Sequence, residues 1–203
     1  MKKTIKISAV LLAVVLIGQI VSLYHDKRVL QENLIRLHIV ANSDSEEDQR
    51  LKLMVKDKIN NYLQPAMANF KTKDDAERYL KQNLRTIEEI ATAEVTNNGY
   101  DYPVTVCLEE KAFDTRVYST FSLPEGIYNA LCVNIGAAAG KNWWCVAFPS
   151  LCLPNSCAEF VETATQSGIS DELSKDLLNT GEFRIRFYFL EQLGKLEKFL
   201  HGE

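Results

Sequence analysis

The segment from Ile7 to Leu23 restricts most strongly what this chain can form. Its seventeen residues carry no charge, and three lysines stand just before it. A basic start followed by an uncharged apolar run is typical of an export signal. Seventeen helical residues, rising 1.5 Å each, approach the roughly 30 Å of hydrocarbon in a bilayer. We therefore predict a signal peptide or signal anchor over residues 1–25, with everything after Tyr24 facing away from the cytoplasm. No A-x-A cleavage triplet follows the run, which leaves cleavage open, and an uncleaved leader would contact the membrane through residues 7–23.

The remainder of the chain has the composition of an acidic globular body. The leader holds three of the 23 Lys and Arg residues and none of the 27 Asp and Glu residues. No run of Lys and Arg builds a basic face, so we expect no nucleic-acid partner. A content of 46% hydrophobic and 25% charged residues is that of a globular protein. We predict a linker or short helix over residues 26–33 and a single α+β domain over residues 34–203.

The first half of the body predicts one strand and two helices. Residues 34–41 alternate in the period of a strand, which places His38 on the outward-alternating face, where an ordinary half-buried residue is the alternative to a functional one. A helix is expected from about Glu46 to Tyr62, with Pro65 marking its end or a kink. A second helix is expected from Thr72 to about Val95.

The second half changes to the period of a strand and then returns to helix. Alternation predicts strands at 104–107, 116–121, 128–135 and 143–148, joined as an antiparallel meander. The tail predicts short helices at 157–166 and 171–179, a last strand at 184–189 and a closing helix containing Leu193, Leu196 and Leu200. The predicted class is therefore α+β: a mostly antiparallel sheet with two long helices packed on one face, preceded by an N-terminal signal or anchor helix.

Few side chains in this sequence suit catalysis or metal binding. The three histidines are His25, His38 and His201, and no zinc-protease, nucleophile-elbow or phosphate-loop motif is present. Four nitrogen or sulfur ligands at tight spacing are lacking, so we expect no metal and no cofactor. The enzymatic alternative is an extracytoplasmic thiol enzyme in which His38 activates Cys145 or Cys152.

The polar run that follows the first predicted strand has two interpretations. It comprises Asn42, Ser43, Asp44 and Ser45. Capping of the next helix explains each of these residue types, because their side chains accept hydrogen bonds from free N–H groups. The functional alternative is a polar recognition loop with His38 beside it.

Residues 140–152 carry two adjacent tryptophans within a predicted strand. Trp143 and Trp144 must point to opposite faces of the sheet. If Trp144 faces the two long helices, Trp143 and Cys145 face the other side. A large aromatic side chain there needs cover from the tail, a membrane or a partner.

The five cysteines leave their pairing open. Cys145 and Cys152 bracket a short loop across Pro149, so a disulfide between them is one expectation for an exported body. Because five is an odd number, at least one cysteine stays free or pairs between chains.

Three segments carry a resemblance to a known family. They are IRLHIVANSDS at 35–45, NGYDYPVTV at 98–106 and KNWWCVAFPSLC at 141–152. Together with the leader and the order of the segments, they resemble the stage II sporulation protein R family of endospore-forming Firmicutes. The resemblance covers residues 1–155, and the Trp-Trp-Cys segment is its most specific part.

The resemblance implies an intercellular signal and not an enzyme. Members of the family are made in the forespore and exported across its membrane into the space between the two cells. There they activate a membrane-embedded aspartic peptidase that processes the precursor of sigma-E. On this basis we expect the surface that engages the peptidase to be formed or supported by His38, Asn42, Asp44, Trp143 and Trp144.

Overall fold

The computed structural model describes residues 2–150, 156–179 and 185–202. Its elements in chain order are α1 (Lys2–Asn33), β1 (Ile35–Val40), α2 (Glu46–Met67), α3 (Lys73–Asn97), β2 (Val104–Phe113), β3 (Arg116–Val117), β4 (Ser122–Leu123), β5 (Gly126–Ile135), β6 (Asn142–Phe148), α4 (Cys157–Gln166), α5 (Asp171–Leu177) and α6 (Ile185–His201). The predicted α+β class is confirmed.

Four strands form one mixed sheet in the order β2-β5-β1-β6. Strand β1 pairs parallel with β5 and antiparallel with β6, and β2 pairs antiparallel with β5. The predicted meander is wrong in that β1 lies between β5 and β6, which are consecutive in the chain. Residues 136–141, here called the crossover loop, therefore pass over the carboxyl end of β1. The predicted strand at 116–121 is reduced to β3, which pairs with β4 in a separate hairpin.

Both faces of the sheet are covered. Helices α2 and α3 pack on one face over Leu37, Leu131 and Val133, as the two-helix prediction requires. The last turns of α1, together with α4, α5 and α6, cover the opposite face over Ala130 and Val146. Because β1 lies inside the sheet, all six of its residues are buried.

Helices α2 and α3 begin at the predicted caps. The Ser45 hydroxyl accepts a hydrogen bond from the N–H of Asp48, and the Thr72 hydroxyl accepts one from the N–H of Asp75. Pro65 lies in the last turn of α2, which continues past it to Met67. The proline therefore stands close to the predicted helix end without breaking the helix before it.

Helix α1 runs without interruption through the predicted leader and the predicted linker. Residues 10–22 are exposed along its length, whereas Asp26, Lys27 and Leu30 are buried against the body. Among the described residues, one helical segment is long and apolar enough to cross a bilayer. It is Val10–Asn33 in α1, with a mean hydropathy of 1.5. This apolar N-terminal helix agrees with a signal sequence or an anchor.

The prediction of a last strand at 184–189 is wrong from residue 185 onward, because α6 begins there. Residues 185–190 are nearly all apolar or aromatic, so a repeat of two and a helical repeat fit them equally well. In the helix, Leu190 and Gly194 face the body. A Cβ on Gly194 would lie 1.9 Å from the carbonyl oxygen of Glu125, so only glycine allows α6 to approach this closely. The two predicted short helices, by contrast, are confirmed as α4 and α5.

Candidate functional site

The crossover loop is fastened to the polar run after β1. Asn42 Oδ1 accepts a hydrogen bond from the N–H of Ala137 at 2.9 Å. Asp44 Oδ1 accepts one from the N–H of Lys141 at 2.6 Å. Gly136 has a φ of +59°, and a Cβ there would lie 2.3 Å from Asn42 Oδ1. The half-buried Asn42 and the exposed Asp44 therefore hold the start of β6 in place.

Asp48, in the first turn of α2, holds the polar run after β1 in place through hydrogen bonds. Its Oδ2 accepts hydrogen bonds from Ser43 Oγ at 2.5 Å and from Asn42 Nδ2 at 2.8 Å. Burial opposes the charged carboxylate, but hydrogen bonds from Ser43, Asn42 and Tyr102 outweigh it and lower the pKa of Asp48. The polar run thus has a structural role as a helix cap and loop anchor, and this geometry favours the capping interpretation over a free recognition loop.

The two tryptophans lie on opposite faces of the sheet, as predicted, and Trp143 is the one that faces the two long helices. Trp143 packs with Cys145 on the side of α2 and α3, and Trp144 lies on the other side. The pairing of β6 with β1 determines which face each tryptophan takes, since Ile39 stands opposite Trp143 and His38 opposite Trp144. Both tryptophans are half-buried.

Trp144 stacks on His38, with ring centroids 4.0 Å apart and ring planes at 9°. Phe113 meets the Trp144 ring edge-on at 4.7 Å, and the Arg116 guanidinium lies 4.7 Å from its centroid. His38 lies on the face that the alternation assigns to it, but helices cover that face as well, so the residue is only 2% exposed. Burial, followed by the charge of Lys111, lowers the pKa of His38 to about 4. His38 therefore supports Trp144 from inside the protein as a neutral ring.

Arg36 is a member of this cluster that sequence reasoning missed. Its side chain is fully buried, with the guanidinium carbon 4.3 Å from the Phe113 ring centroid and 5.2 Å from that of Tyr128. Nη2 donates to Tyr118 Oη at 3.0 Å, while Nη1 has no hydrogen-bond partner among the described residues. The sequence does contain a feature that could have identified Arg36, namely a charged residue in the middle of an otherwise apolar strand. In a central strand such a side chain must be buried, and it then needs a hydrogen-bond partner or an aromatic ring to stack on.

The structure gives no support to the thiol-enzyme alternative. Cys145 is disulfide-bonded and faces α2 and α3, whereas His38 lies on the opposite face. Cys152 lies outside the described residues, so its pairing with Cys145 stays a prediction. Cys132 is the residue of β5 in register with His38. Burial raises the pKa of Cys132 to about 12 and lowers that of His38, which is the reverse of what an activated Cys–His pair requires.

Polar and aromatic side chains gather where the polar run after β1, the crossover loop and the start of β6 meet. Within the described ranges, no three His, Cys, Asp or Glu side chains are grouped so that they could hold a metal ion. What this end of the sheet does present is a mixed polar and aromatic surface, here called the tryptophan edge. It consists of the exposed Asp44, Lys141 and Asn142 and the half-buried Trp143 and Trp144, which flank the edge strand β6 on its two faces.

Comparison with known proteins identifies relatives of the whole region that contains this surface. A family model described as stage II sporulation protein R matches residues 31–158. The stage II sporulation protein R of Bacillus subtilis (strain 168) is 32% identical over 161 residues, which cover 75% of this chain and 71% of that protein. No solved structure gives a significant match.

Proposed function

Because the chain belongs to the stage II sporulation protein R family, we propose that it is an exported signal that activates a membrane-embedded aspartic peptidase, which then processes the precursor of sigma-E. Membership in this family gives the chain a role in sporulation. The observation that carries the proposal is the family match over residues 31–158, which includes β1, the crossover loop and both tryptophans. In this proposal the chain is a ligand without a cofactor and not an enzyme.

The N-terminal helix supports export. Its residues 10–22 project from the body with their apolar side chains exposed, which is unfavourable in water. Insertion into the forespore membrane buries this surface, and the basic start keeps the N-terminus on the forespore side. The body then enters the space between the two cells, as a released protein or on its anchor.

We assign contact with the peptidase to the tryptophan edge. Tryptophan is enriched among the residues that dominate binding energies, and Trp143 and Trp144 are only half-buried in the free chain. Asn42 supports this edge through the crossover loop, and His38 supports it through its stack on Trp144. Since His38 is almost completely buried, it acts on the partner only through Trp144.

Activation by such a ligand requires only a modest preference for the active peptidase. A ligand that binds the active state more tightly shifts the population toward that state. A tenfold shift corresponds to about 1.4 kcal/mol of differential binding free energy. Burial of one tryptophan at the centre of an interface supplies an energy of this size, about 2 kcal/mol or more.

Reconstitution in a non-sporulating host tests the function and the surface separately. The peptidase and the sigma-E precursor are co-expressed with and without this chain, and precursor cleavage is scored. We expect cleavage to depend on the chain and to fall about tenfold with Trp143→Ala, the change that a loss of about 1.4 kcal/mol produces. If the wild-type chain does not raise cleavage, the proposed function is wrong.

Control variants separate contact from folding. Phe199→Ala removes an aromatic side chain that is 77% exposed on α6, away from the tryptophan edge, and should leave cleavage unchanged. Lys141→Glu and Asn142→Ala alter exposed residues of the edge. Full cleavage with Trp143→Ala and both of these variants, at equal abundance, would exclude the tryptophan edge while the function stands.

A further inference from the structure

We propose that Cys107 and Cys132 form a disulfide in the exported protein, in addition to the disulfide that holds Cys145. The structure contains both residues as free thiols, which is the reduced form of this pair. The site depends on the proposed export for its oxidant in the cell, but it is testable on the purified chain. Nothing in the signalling role requires it.

The sheet places the two cysteines directly opposite each other. In the antiparallel pair of β2 and β5, Cys107 stands in register with Cys132. Facing residues in such a ladder have Cα atoms about 4.5 to 5.5 Å apart, which lies within the roughly 4.4 to 6.8 Å that a disulfide spans. Both side chains point to the face covered by α1 and α4–α6, and the two thiols are within hydrogen-bonding reach of each other.

The surroundings decide which sulfur reacts first. Cys132 is fully buried, whereas Cys107 is half-buried near the outer edge of the sheet. Burial raises the pKa of both thiols, that of Cys132 to about 12, so the thiolate population at neutral pH is small and oxidation is slow. The accessible Cys107 is therefore the thiol that meets the oxidant.

The reaction is a thiol–disulfide exchange with a disulfide-bearing donor. The Cys107 thiolate, after losing its proton, attacks the donor, releases one donor thiol and forms a mixed disulfide. Cys132 then loses its proton and attacks the Cys107 sulfur, which releases the second donor thiol. Two protein thiols are oxidised and one donor disulfide is reduced to two thiols, with two electrons transferred.

This pairing also accounts for the odd number of cysteines. With Cys145 already disulfide-bonded, the new bridge leaves Cys157 as the single free thiol among the described cysteines. It also links a row of side chains on one face, since Cys132 is in register with His38 and His38 with Trp144. The bridge would therefore tie the edge strand β2 to the strand next to the His38–Trp144 stack.

Peptide mapping of the purified full chain tests the proposal. The chain in detergent is equilibrated with oxidised glutathione at pH 8.5 until Cys145 is protected and quenched in acid. It is then unfolded and alkylated with a maleimide near neutral pH. We expect a cross-linked peptide that contains Cys107 and Cys132 and disappears on reduction. Alkylation of both cysteines, or a stable glutathione adduct on Cys107, would overturn the proposal, since Cys145 reports that oxidation has occurred.

Single substitutions give a second readout. Cys107→Ser and Cys132→Ser should each abolish the cross-linked peptide, whereas Cys157→Ser should leave it in place. In oxidising buffer, Cys107→Ser should unfold at a lower urea concentration than the wild type, because the unfolded chain is no longer constrained. Equal midpoints for the two proteins in oxidising buffer would count against the bridge.

Discussion

Burial of His38 beneath Trp144 makes the free energy of unfolding depend on pH. The pKa of His38 is about 4 in the fold and about 6.5 in an unfolded chain. Between these values the unfolded chain binds a proton that the folded chain does not. The contribution of His38 to the free energy of unfolding is therefore fully present above pH 6.5 and is lost as the pH falls toward 4. From pH 7 to pH 5 we expect a loss of about 2 kcal/mol in the free energy of unfolding, measured by urea titration.

His38→Phe isolates this effect, because phenylalanine keeps the stack on Trp144 and does not titrate. Measurement at pH 5 limits the contribution of carboxylates, whose ordinary pKa values lie near 4. The variant should lose about 2 kcal/mol less than the wild type over the same interval. Equal losses in the two proteins would show that the imidazole is not held neutral by the fold.

The sequence assigned the side chains of β1 to the correct faces but did not show that both faces are buried. Alternation in residues 34–41 placed Arg36 and His38 on the second face of β1, and the structure agrees. That face was expected to be open, because strand period alone does not say what covers it. The cover comes from residues more than a hundred positions later, such as Phe160 and Leu190, and no local pattern contains that information.

At the scale of elements, the junction of α1 with α6 rests on a buried ion pair. Arg186 donates from Nε to Asp26 Oδ2 at 2.8 Å, and its Nη2 lies 2.6 Å from the same oxygen. The Asp26 side chain is 8% exposed and that of Arg186 is 27% exposed. A carboxylate this deeply buried is costly without its partner.

Arg186→Ala should therefore lower the free energy of unfolding by about 2 kcal/mol, below the 3–5 kcal/mol of a fully buried pair because the arginine is partly exposed. Urea unfolding of the full chain in a non-ionic detergent measures the change. Arg85→Ala provides the matched control, since Arg85 pairs with Glu89 on α3 while its side chain is 91% exposed. A similar effect of the two substitutions would show that Asp26 does not depend on Arg186.

Helices and strands were predictable where the apolar residues followed one repeat, and they were ambiguous where a helical repeat and a strand repeat fitted equally well. The sequence indicated the starts of α2 and α3 within one residue, because polar and apolar positions separate cleanly there, whereas α2 continues five residues past the expected end at Tyr62. Residues 185–190 offered no such separation, and packing of Gly194 against Glu125 decides for helix. The order of strands was likewise hidden, since the insertion of β1 between β5 and β6 is a long-range pairing.

For the whole molecule, the boundary between leader and body lies within one helix. Lys27 pairs with Glu197 at 2.9 Å and donates to the carbonyl of Leu193 at 3.0 Å. Leu30 is fully buried in the core under α4–α6. The last turns of α1 thus pack as part of the body, although their sequence indicated only a linker or a short helix. Cleavage of the leader that preserves these contacts must fall before Asp26.

Two truncations test where the folding unit begins. A chain that starts at Ser22 keeps Asp26, Lys27 and Leu30 and should show the same urea midpoint as the full chain. A chain that starts at Leu34 loses them all, and the loss of one buried leucine alone costs about 2–5 kcal/mol. We expect this shorter chain to be unfolded or strongly destabilised in circular dichroism and urea titration. If it unfolds at the same midpoint as the longer chain, the folding unit is residues 34–203 and α1 is only an appended leader. If it is destabilised as expected, a body exported by another signal needs the last turns of α1, which the chain from Ser22 onward retains.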